Sequence, residues 1–141
     1  GHAVNSQSIR RTELTAPSPS QDETCVQAPP RFSVVIPLYN KGPHIDATLR
    51  SALSQTLAPH EILIVDDGST DDGLAQCRRF DDARIRTFSR STPGPGGYAA
   101  RNMAIREATG DWIAFLDADD RWHPDHLETL WAAIRSAGDV G

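Results

Sequence analysis

Short apolar runs alternate along the chain with longer stretches in which apolar residues recur every three or four positions. The runs predict strands, and the longer stretches predict amphipathic helices. Three runs are continuously apolar, as in strands buried on both faces, whereas the remaining one alternates apolar and polar residues. The predicted strands are Phe32–Pro37, Glu61–Asp67, Arg84–Phe88 and Asp111–Asp117.

A helix is predicted after each strand. The first runs from about Pro43 to Thr56, and the second follows Ser69 and Asp72, which have the spacing of a capping box. The third covers Tyr98–Ala108, and Pro124 occupies the first position of the last helix. Four strand–helix units predict an α/β fold with a mainly parallel four-stranded sheet that is covered by helices on both faces.

Residues 1–30 lack this periodicity. Gly1 and His2 resemble the remnant of a cleaved tag, and Thr15–Pro30 is polar and rich in proline. Such a segment buries too little surface to offset its ordering entropy, so we predict a flexible lead-in, with a short helix around Ser8–Leu14 as the alternative. The folded domain is expected to span residues 31–141.

The composition of the chain argues against several functional classes, among them nucleic-acid-binding and membrane-spanning proteins. The 141 residues suffice for one domain with a hydrophobic core, and a net charge of −5 provides no basic face for nucleic acid. No stretch approaches the roughly 20 apolar residues of a membrane span. Cys25 and Cys77 form neither a metal motif nor a disulfide framework, which predicts a cytoplasmic protein, with Cys77 packed as a small apolar residue.

Candidate chemistry lies where the strands end. Ligands of doubly wound sheets bind outside the carboxyl ends of the strands. The segments expected at that edge are Pro37–Lys41, Asp66–Ser69, Ser89–Gly97 and Asp117–Asp120.

The most informative of these segments is the acidic one. Asp117, Asp119 and Asp120 follow a buried strand, and carboxylates crowded at one edge repel each other unless a cation neutralises them. Mg²⁺ and Mn²⁺ accept such oxygen ligands, and Mg²⁺ commonly combines one or two carboxylates with water and substrate phosphates. Taken alone, the Asp-x-Asp pattern favours a solvated acidic turn that caps the next helix, whereas at the end of a buried strand both interpretations stay open.

Three other side chains suit a nucleotide. The ring of Tyr39 can stack on a base, Asp67 can accept a hydrogen bond from an imide or a ribose hydroxyl, and Arg101 can clamp a diphosphate. Ordinary packing, a turn and a surface arginine are the alternatives. A Gly94-x-Gly96-x-x-Ala99 pattern imitates a dinucleotide fingerprint, but it follows the third strand rather than the first and contains a proline.

Together these pieces resemble the N-terminal half of a family 2 glycosyltransferase with the GT-A fold. The matching text is "SVVIPLYNKG", "LRSALSQT", "EILIVDDGSTD", "AARNMAI…ATGDWIAFLDADD" and "HPDHLE", which together span nearly all of residues 32–130. The resemblance implies a Rossmann-like nucleotide-binding half with strand order 3-2-1-4. It also implies transfer of a sugar from a nucleotide-diphosphate donor, with a UDP-sugar as the first choice, through bound Mn²⁺ or Mg²⁺.

The resemblance also assigns residues. Pro37, Leu38 and Tyr39 would line the base, Asp67 would bind its imide edge, and Arg101 would hold the base or the diphosphate. Asp117 would approach the ribose or the metal, and Asp119 would ligate the metal, whereas Asp120 would support or cap.

The resemblance has two departures. Met103 stands where the family commonly has glycine, and the family's second half, which supplies the acceptor site and the catalytic base, does not follow residue 141. We therefore expect weak or no transfer by these residues alone, no catalytic base among them, and self-association through the truncated face. The acceptor is an unidentified glycan, lipid or other hydroxyl compound, which would bring the protein to the inner face of the membrane if it is a lipid. A non-catalytic nucleotide-binding module is the alternative function.

Overall fold

The structure of the chain, a computed structural model, describes residues 8–10, 29–90 and 98–140. Strands and helices alternate from Phe32 onward, as the apolar periodicity predicts. The strands are β1 (Ser8–Arg10), β2 (Phe32–Leu38), β3 (Glu61–Asp67), β4 (Ile85–Arg90) and β5 (Trp112–Phe115). The helices are α1 (Gly42–Leu53), α2 (Gly73–Arg78), α3 (Tyr98–Glu107) and α4 (His126–Val140).

The strands form one sheet in the order β1-β5-β2-β3-β4. The pairs β2–β5, β2–β3 and β3–β4 are parallel. The four predicted strands therefore lie in the order 3-2-1-4, which confirms the predicted parallel sheet.

A fifth strand was not predicted. β1 pairs antiparallel with β5, with Ile9 opposite Ile113, so a short segment covers the outer edge of β5. A helix at Ser8–Arg10 is thus the wrong alternative, because these residues form main-chain pairs with a strand distant in sequence. Most of residues 1–30 lie outside the described residues, and the flexibility expected there stays a prediction.

Both faces of the sheet are covered. Side chains of α1, α2 and α4 pack on one face. Ala100 and Ala104 of α3, with Ala108 directly after it, pack on the other. Cys77 is buried in the first of these layers, where burial and then the negative charge of Asp66 raise the pKa of its thiol to about 12. The prediction that Cys77 packs as an apolar residue is confirmed.

Several helix boundaries differ from the prediction. Pro124 is not the first residue of the last helix, because α4 begins at His126, and α3 ends at Glu107, one residue before the predicted Ala108. α1 ends at Leu53 rather than at Thr56, because the Thr56 N–H donates instead to the carbonyl of Pro124 at 2.8 Å. The capping box predicted for α2 is wrong: Ser69 Oγ accepts a hydrogen bond from the Asn40 N–H at 2.9 Å, and Asp72 makes no side-chain cap. Within the described part of the chain, no helix has the length and apolar character needed to cross a membrane.

Candidate functional site

The predicted site residues gather at the carboxyl edge of the sheet, here called the rim. β2 and β3 end side by side there, with Leu38 opposite Asp66, and the chain after β5 reaches the same edge. Tyr39 follows β2 directly and is 51% exposed, which makes it the one large hydrophobic side chain exposed among the described residues. An exposed aromatic ring at this edge is available to a planar ligand.

Leu38 differs from its neighbours on β2. Its side chain is fully buried in the core beneath α1, so it contributes main-chain atoms and not its side chain to the rim. Pro37, one residue earlier, is half-buried on the opposite face. Of the three residues predicted to line a base, only Pro37 and Tyr39 therefore expose side-chain surface at the rim. The buried side chain of Leu38 anchors the main chain between them.

The loop that carries Tyr39 is fastened to the loop after β3. Asn40 adopts a positive φ of 50°, and its Oδ1 accepts hydrogen bonds from the N–H and hydroxyl of Thr70 at 2.7 and 3.2 Å. Asp71 accepts from the Gly42 N–H at 2.8 Å and from the Gly73 N–H at 2.9 Å, so one carboxylate joins the first residues of α1 and α2. A side chain at position 42 would place its Cβ 2.9 Å from Asp71 Oδ2. These contacts hold two rim loops at a fixed separation.

Two aspartates end β3 and point to opposite faces. Asp67 is 6% exposed, and the guanidinium of Arg90 donates a hydrogen bond to its Oδ1. Asp66 is 7% exposed on the other face, near Cys77, and its Oδ1 has no hydrogen-bond partner among the described residues. Each carboxylate is thus held within the protein, and Asp67 is the one that an arginine orients.

Arg90 is a rim residue that the sequence prediction missed, because the strand was ended at Phe88. β4 continues to Arg90, and its parallel register places Arg90 beside Asp67. Had the predicted strand been extended to Arg90, its positive charge would have stood beside the negative charge of Asp67 at the end of the adjacent parallel strand.

Arg101 lies on α3 with its guanidinium carbon 5.6 Å from the centre of the Phe115 ring, near the end of β5. Its Nε is buried and has no hydrogen-bond partner within the described part of the chain. A buried guanidinium N–H without an acceptor is unusual in a native protein and is satisfied readily by a ligand oxygen.

Asp117 and Asp119 are both exposed after β5, and the Asp120 N–H donates to the carbonyl of Asp117 at 3.0 Å, which closes the turn. Lys41 Nζ lies 3.2 Å from Asp119 Oδ2, so this carboxylate already attracts a cation. Asp120 is half-buried, and its Oδ1 accepts from the N–H of Arg121, which fits the supporting role expected for it.

The rim fits a hard divalent cation that is shared with a ligand. Across the described ranges, no group of three or more His, Cys, Asp or Glu side chains is arranged to hold a metal ion. Asp117 and Asp119 therefore offer a partial set of oxygen ligands, the arrangement Mg²⁺ adopts when substrate phosphates and water complete its coordination.

His126 stacks on Trp122, with ring centres 4.5 Å apart, and burial lowers the pKa of its imidazole.

The loop of residues 91–97, with most of the glycine-rich pattern, lies outside the described residues. Met103, where the family commonly has glycine, packs against the core layer under α3.

Comparisons with known proteins agree with this geometry. The family model described as Glycosyl transferase family 2 matches residues 33–141. An uncharacterized glycosyltransferase of Rickettsia conorii is 45% identical over 101 residues, which are 70% of this chain and 16% of that protein. The Escherichia coli UDP-Glc:alpha-D-GlcNAc-diphosphoundecaprenol beta-1,3-glucosyltransferase WfgD is 40% identical over 96 residues, which are 68% of this chain and 38% of that protein.

Solved structures show the same similarity. Staphylococcus aureus TarS, crystallised with UDP-GlcNAc, superposes with a TM-score of 0.69 and 29% identity, covering 75% of this chain and 31% of that chain. The mannosyltransferase PcManGT of Pyrobaculum calidifontis, in complex with GDP-Man and Mn²⁺, gives a TM-score of 0.67 and 31% identity over 76% of this chain and 33% of that chain. The chain spans less than two fifths of the length of these curated relatives.

Proposed function

Because the chain belongs to glycosyl transferase family 2, we propose that its rim binds the nucleotide-diphosphate sugar from which a sugar is transferred to an acceptor hydroxyl. The observation that carries this proposal is the convergence of three features on one edge of the sheet: an exposed aromatic ring, a half-buried arginine whose Nε has no acceptor among the described residues, and two exposed aspartates. Burial of apolar surface does not explain why an exposed ring, a guanidinium and two exposed carboxylates lie together.

The base site of the proposal is formed by Pro37, Tyr39 and Asp67. The base would lie against Pro37 and the Tyr39 ring, and Asp67 would accept a hydrogen bond from its imide N–H. Asp67 suits this role because its carboxylate is nearly buried and is held by Arg90, so it is oriented before a ligand arrives. We favour uridine because TarS was crystallised with UDP-GlcNAc and WfgD is named as a UDP-Glc enzyme.

The diphosphate site combines Arg101 with the acidic turn. Arg101 would donate to a phosphate oxygen through guanidinium N–H groups, one of which is buried without an acceptor among the described residues. Asp119, with Asp117, would hold Mn²⁺ or Mg²⁺. A divalent ion bound there supplies Lewis-acid stabilisation of the departing nucleoside diphosphate. Leu38 packs in the core layer that also contains Leu116 and Ala118, the two neighbours of Asp117.

The acceptor and the catalytic base are not assigned to residues of this chain. A base would deprotonate the attacking hydroxyl, and we expect it outside the rim described above. Self-association and a cytoplasmic location stay predictions.

Titration calorimetry with UDP tests the donor site. Wild-type protein is expected to bind UDP more tightly in MnCl₂ than in EDTA, and Asp119→Ala should lose this difference because the ion loses its principal ligand. Asp81→Ala is the matched control, since Asp81 is also exposed but lies before β4, at the opposite edge of the sheet. UDP binding that is absent, or that is equally strong with and without Mn²⁺, would contradict the proposal.

A separate measurement distinguishes the enzyme from a non-catalytic nucleotide-binding module. Slow hydrolysis of a UDP-sugar, with water as the acceptor, is expected when Mn²⁺ is present and is expected to disappear in Asp119→Ala. Because weak or no transfer is expected of these residues alone, it is the release of sugar, lost in Asp119→Ala, that would identify the enzyme and exclude the non-catalytic module.

A further inference from the structure

One face of α1 carries a row of polar side chains that is turned toward the acidic turn and not toward solvent. Thr48 and Ser51 lie on α1, and Gln55 follows its end, with spacings of three and four that place them on one side of the helix. We call Thr48, Ser51 and Gln55 the polar seam. Thr48 is 1% exposed and Gln55 is 6% exposed, and Ser51 between them is half-buried.

The Thr48 hydroxyl lies beneath Asp119. Its Oγ1 is 2.9 Å from the carbonyl oxygen of Ala118 and 2.6 Å from that of Asp120, the two residues that flank Asp119. A threonine hydroxyl has one proton to donate, and the carbonyl oxygen of His44 lies 3.2 Å away as a third acceptor, but the two carbonyls of the acidic turn are nearer and share the proton most strongly. A single buried group therefore fixes the main chain on both sides of the candidate metal ligand.

The rest of the seam holds the segment that follows. Ser51 Oγ accepts from the Trp122 N–H at 3.1 Å and donates to the carbonyl of Thr48 at 2.7 Å. Gln55 donates to the carbonyl of His123 at 2.6 Å and accepts from the Leu127 N–H at 2.8 Å. β5 ends at Phe115 and α4 begins at His126, so side chains of the seam replace regular pairing over the stretch between them.

We propose that Thr48 is a positioning residue for the metal-binding carboxylate of Asp119, and that the polar seam holds the acidic turn ready for the cation. This inference rests on the proposed function. Asp119 is exposed and its side chain pairs with the exposed Lys41, so the main chain beneath it is the buried element that fixes its direction. Groups that orient a metal ligand typically change metal affinity by about 10- to 100-fold when they are removed.

The test compares Thr48→Val with Thr48→Ser. Valine keeps the volume and loses the hydroxyl, whereas serine keeps the hydroxyl. The measured quantity is the ratio of UDP affinity in MnCl₂ to that in EDTA, with the binding of Mn²⁺ alone followed by electron paramagnetic resonance. Thr48→Val is expected to lower the ratio about tenfold, and Thr48→Ser is expected to keep the wild-type ratio.

Two results overturn the inference. The first is a wild-type ratio in Thr48→Val. The second is UDP binding by Thr48→Val that is weakened equally in MnCl₂ and in EDTA, which would indicate a general loss of structure and not a loss of positioning. If Thr48→Val does not fold, Ser51→Ala replaces it and should lower the same ratio by a smaller factor, and an unchanged ratio then overturns the inference. A wild-type protein with no Mn²⁺-dependent gain contradicts the proposed function itself, so the two failures are distinguishable.

Discussion

The two ends of β3 both carry carboxylates, and their surroundings are opposite in kind. Glu61 begins the strand and accepts hydrogen bonds from the Ser33 hydroxyl at 2.7 Å, the Thr109 N–H at 2.6 Å and the guanidinium of Arg86 at 3.0 Å. Asp66 and Asp67 end the strand beside an exposed tyrosine and an exposed acidic turn, and Asp66 Oδ1 has no partner among the described residues.

The difference in hydrogen bonding distinguishes a carboxylate that stabilises the fold from carboxylates placed at a proposed ligand site. At the first end, the protein supplies partners to every side of the carboxylate, and the Gly110 N–H donates in turn to Ser33 Oγ at 2.8 Å. At the other end, Asp66 Oδ1 has no partner among the described residues, and Asp67 is oriented by Arg90 beside the exposed rim. A buried carboxylate with complete internal bonding is typical of a stabilising role, whereas incomplete bonding at the carboxyl edge of a parallel sheet is typical of a ligand site.

The largest effect should follow removal of the first carboxylate. Glu61→Ala leaves a serine hydroxyl, a main-chain N–H and an arginine without their acceptor, and should lower the free energy of unfolding by about 3 kcal/mol. Urea unfolding measures this loss. Glu107→Ala is the control, because Glu107 also pairs with Arg86 but has a side chain that is 46% exposed. Equal losses in the two variants would contradict the contrast between the ends.

Acid should weaken the same end of β3. Burial acts to raise the pKa of Glu61, but hydrogen bonds from Ser33, Thr109 and Arg86 outweigh it and hold the pKa below its ordinary value of 4.5. Because folding lowers this pKa, the stabilisation is complete above the unfolded value and is lost as the pH falls through the folded value. Wild-type protein should lose more unfolding free energy than Glu61→Gln between about pH 6 and about pH 3. Parallel losses would exclude Glu61 as the cause.

Arg90→Met should act on ligand binding at the other end. Without the arginine, Asp67 loses a charged partner worth about 1.5–3 kcal/mol, so UDP affinity should fall about tenfold or more. Binding of ADP, whose base lacks the imide, should fall less. Arg84→Met is the matched control, because Arg84 pairs with Asp82 at 2.9 Å before β4 begins. Equal loss for both nucleotides would show that Arg90 does not act through base recognition.

The smallest effect concerns Lys41. Its pair with Asp119 is exposed, with side-chain exposures of 42% and 45%, and such pairs contribute at most about 1 kcal/mol. Lys41→Met removes the competing cation, so binding of Mn²⁺ alone should tighten by a few-fold at most, as electron paramagnetic resonance would measure. A weakened affinity would show instead that Lys41 supports the site.

The sequence predicts the parallel sheet well because β2, β3 and β5 are continuous apolar runs, and such runs are stable when buried on both faces. The rim follows from the same reasoning, since parallel strands end at one edge. Tyr39, Arg101 and Asp119 could therefore be assigned to a common edge before their positions were known.

Other features depend on contacts that no local pattern encodes. β1 is three residues long and gains its strand conformation from pairing with β5, more than a hundred residues away. In the sequence, Thr48 is indistinguishable from any other residue of a helix. Its proposed positioning role follows only from its contacts with two carbonyls of the acidic turn. Ser69 bonds across to Asn40 because tertiary contact outweighs the local capping preference.

The most direct test of the account is a crystal structure of the protein with MnCl₂ and UDP. We predict one manganese ion bonded to Asp119 and to the diphosphate, with the base against Tyr39 and its imide N–H directed at Asp67. Nucleotide bound away from this edge, or a manganese ion bonded to neither Asp117 nor Asp119, would contradict the central claim.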